Sequence, residues 1–79
     1  MVTEQGLEII GREILRIDAL TEREGHLMGK ERRKQTEARR AALVWALHVL
    51  LTGDPTQPSS GGPVERFLGV LKDSAGAST

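Results

Sequence analysis

Leu7, Ile10, Ile14 and Ile17 recur at intervals of three and four near the start of the chain. At the helical advance of ~100° per residue this places them on one face. Ile9, Leu15 and Leu20 widen that face. The pattern predicts a first helix over about residues 3–24. Thr3 suits its N-cap, Glu4 suits the positive end of its dipole, and Glu8 and Arg12 pair one turn apart.

The segment Lys30–Gly53, KERRKQTEARRAALVWALHVLLTG, is a charged half followed by an apolar half, with Trp45 near the join. It has no Pro or Gly before Gly53 and is rich in good helix formers, so it predicts a central helix over 30–52. Gly53 is the expected left-handed stop, and Asp54 and Pro55 prevent resumption. Glu31, Gln35, Ala38, Ala42, Trp45 and Val49 fall in one band, with Arg32, Arg33, Arg39 and Arg40 on the far side. From Ala41 to Leu51, apolar groups surround nearly the whole circumference and only His48 interrupts them. A helix apolar all round is expected to be buried all round. The run is too short for the ~20 residues that cross a bilayer.

Two readings compete for the junction between these helices, TEREGHLMG. Thr21 and Glu24 have capping-box spacing, which would start the second helix at Glu22. Alternatively the first helix continues to Glu24 and Gly25 to Gly29 make the turn. The second is preferred, because two glycines around His-Leu-Met make a poor helix interior. Leu27 and Met28 then fold inward. One continuous helix is the weakest choice, since it places Glu24, Glu31 and Gln35 on its seam. Residues 54–62 read as a flexible linker rich in Pro and Gly. Pro63 opens a short helix over 63–73, carrying Val64, Phe67, Leu68 and Leu71 at helical spacing. Val70 adds to that face, and residues 74–79 are expected to be a disordered tail. Gly6 and Gly11 weaken the first helix by up to ~1 kcal/mol each, or serve a close backbone approach; the plainer reading is tolerated weak spots.

The expected fold class is all-α: a helical hairpin with a short C-terminal helix, assembled as a dimeric helical bundle. Seventy-nine residues make a single small domain, and a chain of this size buries only ~60% of its unfolded surface. With no cysteine, neither a disulfide nor a thiolate metal site can staple it, which leaves oligomerisation as the common remedy. The dimer and core interface is expected at Leu43, Val44, Trp45, Leu47, Leu50 and Leu51. Trp45 and Leu47 point to opposite sides, so one serves the protomer core and the other the dimer. The N-terminal stretch lacks the pattern of a secretory signal, which predicts a cytoplasmic protein.

Charge sums to zero, but unevenly: residues 1–24 carry −3, residues 25–40 carry +4 and the remainder −1. The chain is polarised and not basic, which argues against a dedicated nucleic-acid binder and against an acidic mimic of DNA. Catalytic chemistry is sparse. His26 and His48 lack a neighbouring ligand set and read as a turn residue and a helix-surface residue. Ser59 and Ser60 lie in the linker with no positioned base. Gly61-Gly62 is followed by no Lys-Ser/Thr, so it is not a phosphate loop. The expectation is a non-enzymatic binder without cofactor or metal.

The partner-binding candidates are the basic residues Lys30, Arg32, Arg33, Lys34, Arg39 and Arg40. An ordinary solvated helix face is the plain alternative, with Glu31–Lys34, Arg33–Glu37 and Glu37–Arg40 pairing within a turn. Trp45 and Phe67 are better used in a core than as stacking platforms. No helix-turn-helix arrangement is evident, because an apolar run and a linker follow the basic segment. A protein complex is therefore the expected partner, and nucleic acid on the basic face is the secondary reading. In profile, a short cysteine-free helical chain without catalytic groups is similar to the small accessory and inhibitor proteins of phages and mobile elements, anti-CRISPR proteins among them. That resemblance of type implies action by occupying a surface on a larger complex. An assembly chaperone, an antitoxin-like partner and an assembly subunit fit the same profile.

Overall fold

In the computed structural model, residues 4–55 and 62–77 are described, the last three as backbone only. Three helices, α1 (Glu4–Glu24), α2 (Lys30–Thr52) and α3 (Pro63–Ala77), pack against one another in all three pairings. The described residues contain no strand. A short 3-10 turn, Gly25–Leu27, joins α1 to α2. The first helix therefore runs through Thr21 and Glu24, and the turn lies between the two glycines. At the other end of α2, Gly53 adopts φ 73° and donates its N–H to Val49 O at 2.7 Å. Only glycine enters that region without a Cβ penalty, so the stop is fixed by residue type.

The core forms where the three apolar stripes meet. Ile14 of α1 and Leu47 of α2 are fully buried, with Val64 and Leu68 of α3 against them. Leu7, Ile10, Leu15, Leu43, Val44, Leu51 and Phe67 pack around this centre. Burying side chains of this size contributes ~1.5–3 kcal/mol each, which offsets the ordering of a third helix too short to persist alone in water. Docking also explains its length. With Val64, Leu68 and Leu71 anchored, nothing through Ser74 and Ala75 breaks the helix, and α3 reaches Ala77 where residues 74–77 were expected in a tail. Thr3, residues 56–61 of the expected linker and residues 78–79 lie outside the described residues.

Several positions depart from the sequence expectation. Gly11 is buried, and a Cβ built there would stand 2.5 Å from Leu71 Cδ1 and 3.0 Å from Phe67 Cε2. The close approach of α1 and α3 therefore needs its missing side chain, and Gly11 is more than a weak spot. At the hairpin end, Met28 is buried but Leu27 is 75% exposed. Met28 leaves the 3-10 turn in an extended conformation, φ −76° and ψ 136°, so these neighbours point to different sides. His48, expected on the surface, is 9% exposed. It follows Leu47 and lies close to one turn from Val44 and Leu51, so the packing of that flank carries it inside. Trp45 is 45% exposed, because it lies about 160° around the helix from Leu47. Ala41, Ala42 and Leu50 are exposed as well. The apolar half of α2 is thus not buried all round within one protomer.

Candidate partner-binding surface

The six basic candidates divide into two groups. Arg33 donates from Nη2 to Gly25 O at 2.6 Å, a part-buried bond that ties the start of α2 to the 3-10 turn. Arg40 reaches across to α1, where its Nε and Nη2 donate to the Asp18 carboxylate at 2.6 and 3.2 Å. That geometry is bidentate, the stronger form of a charge-assisted pair. The Asp18 hydrogen bond holds the Arg40 guanidinium above its ordinary pKa against the opposing effect of burial, with further support from the Asp18 and Glu65 charges. Arg39 donates to Glu13 at 3.2 Å, on a carboxylate already taken by Arg16 at 2.6 Å. Arg33, Arg39 and Arg40 are therefore engaged in holding α2 to the rest of the protomer.

Lys30, Arg32 and Lys34 form the second group. All three are exposed, and their side chains have no ion-pair partner among the described residues. The expected pairs Glu31–Lys34, Arg33–Glu37 and Glu37–Arg40 do not form; the long arginines of α2 find acids on α1 instead. Sequence spacing finds neighbours on one helix, whereas the hairpin supplies acids from the preceding one. Lys30, Glu31, Arg33, Lys34 and Glu37 line a shallow surface cleft of about 430 Å³.

The interface candidates divide as well. Leu47 is fully buried in the protomer, and Leu43, Val44 and Leu51 pack against its core. Trp45 and Leu50 remain at 45% and 39% exposure. Trp45 Nε1 donates to Pro55 O at 3.1 Å, which fixes the indole on the helix surface. Ala38, Ala41 and Ala42 are exposed on the same side as Trp45, and Val49 there is half-buried. This strip was visible as a band in the sequence, but the number of apolar residues around it hid its exposure.

No group of three or more His, Cys, Asp or Glu is placed to hold a metal ion among the described residues. His26 is exposed in the turn, while both His48 ring nitrogens are buried without a hydrogen-bond partner among the described residues. No described helix is long and apolar enough to cross a membrane. The chain matches no protein-family model, no curated protein and no solved structure.

Proposed function

We propose that the protein is a non-enzymatic interaction module of the cytoplasm that works as a homodimer and occupies a surface on a larger protein complex. The type of protein it resembles is the small inhibitor or accessory protein of phages and mobile elements. The observation that carries the reading is one surface of α2. Trp45 and three alanines face solvent there, and the exposed cations Lys30 and Lys34 stand on the same side at the helix's N-terminal end, with exposed Arg32 on the far side. Half-exposed tryptophan is a common anchor of protein interfaces and here suits the contact between the two copies, while the cations at its rim steer the approach of an acidic partner. The nucleic-acid alternative keeps only three of its six bases free of intramolecular contacts, so it has less charge with which to grip phosphates.

Affinity purification of the tagged protein from its own cells, beside a K30E/R32E variant, tests this reading. A defined complex captured by the wild type and lost by the variant is the expected result. Salt-resistant binding of duplex or single-stranded nucleic acid, abolished by the same reversals, would transfer the proposal to the alternative.

A further inference from the structure

The solvent face of α2 has an order that the protomer core does not require. Gln35, Ala38, Ala42, Trp45, Val49 and Thr52 follow one another at alternating steps of three and four. All are exposed except the half-buried Val49. This strip has the heptad spacing of a two-helix coiled-coil seam, with small and apolar residues between polar ends at Gln35 and Thr52. It is separate from the inward stripe of Leu43, Leu47 and Leu51, which the protomer already covers.

Charge along α2 is arranged against its own dipole. Lys30, Arg32, Arg33 and Lys34 crowd the positive N-terminal end around Glu31, the acid of the first turn, while the last turn carries no base. Cations at a helix N-terminus are unfavourable, and the carbonyls at a C-terminus favour them. A second α2 running the opposite way corrects both ends.

We propose that the occupant of this face is a second copy of the chain, with the two α2 helices packed antiparallel and Trp45 of each seated on Ala42 of the other. The inference rests on the homodimer reading above. In this register the Ala38 methyl meets the partner's Val49 and Gln35 meets the partner's Thr52. Large side chains thus face small ones, as close packing demands. Lys34 comes level with the partner's Gly53, at the carbonyl end of that helix. A parallel pair would instead stack Trp45 on Trp45, leave the alanine layers loose and set Lys34 against Lys34.

The chain has no cysteine of its own, so introduced thiols report the register without background. Within one chain, positions 38 and 49 are about 16 Å apart along the helix, beyond disulfide reach. They become neighbours only across the antiparallel pair. The doubly substituted A38C/V49C protein should oxidise to a covalent dimer, whereas A38C alone should remain uncrosslinked. Sedimentation of the reduced proteins separates the outcomes. A dimer mass with A38C alone crosslinking would overturn the antiparallel register. A dimer mass with neither protein crosslinking would place the contact on another face and overturn this inference while leaving the homodimer. A monomer mass at high micromolar concentration for the unsubstituted protein would overturn both. As a second variant that leaves the protomer core untouched, K34E should weaken dimerisation about tenfold at low salt, and unchanged affinity would count against the pairing of opposite helix ends.

Discussion

The two faces of α2 carry much the same kind of residue and meet opposite fates. On the inward face, Leu43, Leu47 and Leu51 are closed over by α1 and α3, and Leu47 loses all contact with solvent. On the outward face, Ala38, Ala42 and Trp45 stay exposed. Burial on this helix is therefore decided by what the other two helices can reach. A hairpin partner and one short helix cover roughly half of a cylinder, and apolar groups on the remaining half are left for something outside the protomer.

The widest separation between the faces should appear in protomer stability. Leu47→Ala removes a fully buried side chain, and truncations of this kind cost about 2–5 kcal/mol. For a chain of this size, whose whole stability is on the order of 4–12 kcal/mol, that is a large fraction. Trp45→Ala should cost less than about 1 kcal/mol when denaturation is measured at concentrations low enough for the monomer to dominate. The same substitution should abolish the dimer mass in sedimentation. If both variants unfold the monomer equally, the outward tryptophan is part of the protomer core and the contrast between the faces fails.

His48 lies on the border between the faces and sharpens where that border runs. The residue is 9% exposed, and neither ring nitrogen has a hydrogen-bond partner among the described residues. An unsatisfied buried polar group costs about 1–3 kcal/mol. His48→Leu removes that cost, adds apolar burial and improves helix propensity. The variant should be more stable by about 1–2 kcal/mol, read as a rise of roughly 4–8 °C in melting temperature per kcal/mol. Loss of stability would show that the imidazole is held by partners and belongs with the polar border rather than the core.

These contrasts mark where the sequence was legible. The ends of α2 could be read because each is set by local chemistry: Gly29 before it, Gly53 with its positive φ after it, and good helix formers throughout. The position of the turn at Gly25–Leu27 was legible for the same reason. What no local pattern held was the pairing across helices. Arg40 has Glu37 one turn away on its own helix, yet it bonds to Asp18, and Arg39 bonds to Glu13, both more than twenty residues earlier. Gly11 could not be distinguished from an ordinary weak spot until α3 was seen to press Leu71 and Phe67 on it. The basic cluster looked uniform in sequence, because its division into fastened and free halves depends on which acids of α1 and which carbonyl of the turn lie beneath it.

The smallest expected effect concerns the ion pairs that fasten the flank of α2 to α1. Hydrogen bonding from Arg16 first, then the Arg16 and Arg39 charges, hold the Glu13 carboxyl below its ordinary range despite opposition from burial. Because the folded value is depressed, the unfolded chain binds more protons in the window between the two values, and stability there rises with pH. The contribution is complete above the ordinary carboxylate pKa near 4.5 and is lost as pH falls through the lower folded value. Glu13 lies on the surface, so the effect is modest and screened by salt. Denaturation midpoints taken between pH 6 and pH 3 should fall less steeply for Glu13→Gln than for the wild type, and the difference should shrink in 1 M salt. Lys34→Gln, on the outward face, should leave that acid slope of the monomer unchanged, because Lys34 pairs with no described acid in the protomer. Equal effects from the two substitutions would mean that net charge, and not the ion pairs of Glu13 with Arg16 and Arg39, governs the acid limb.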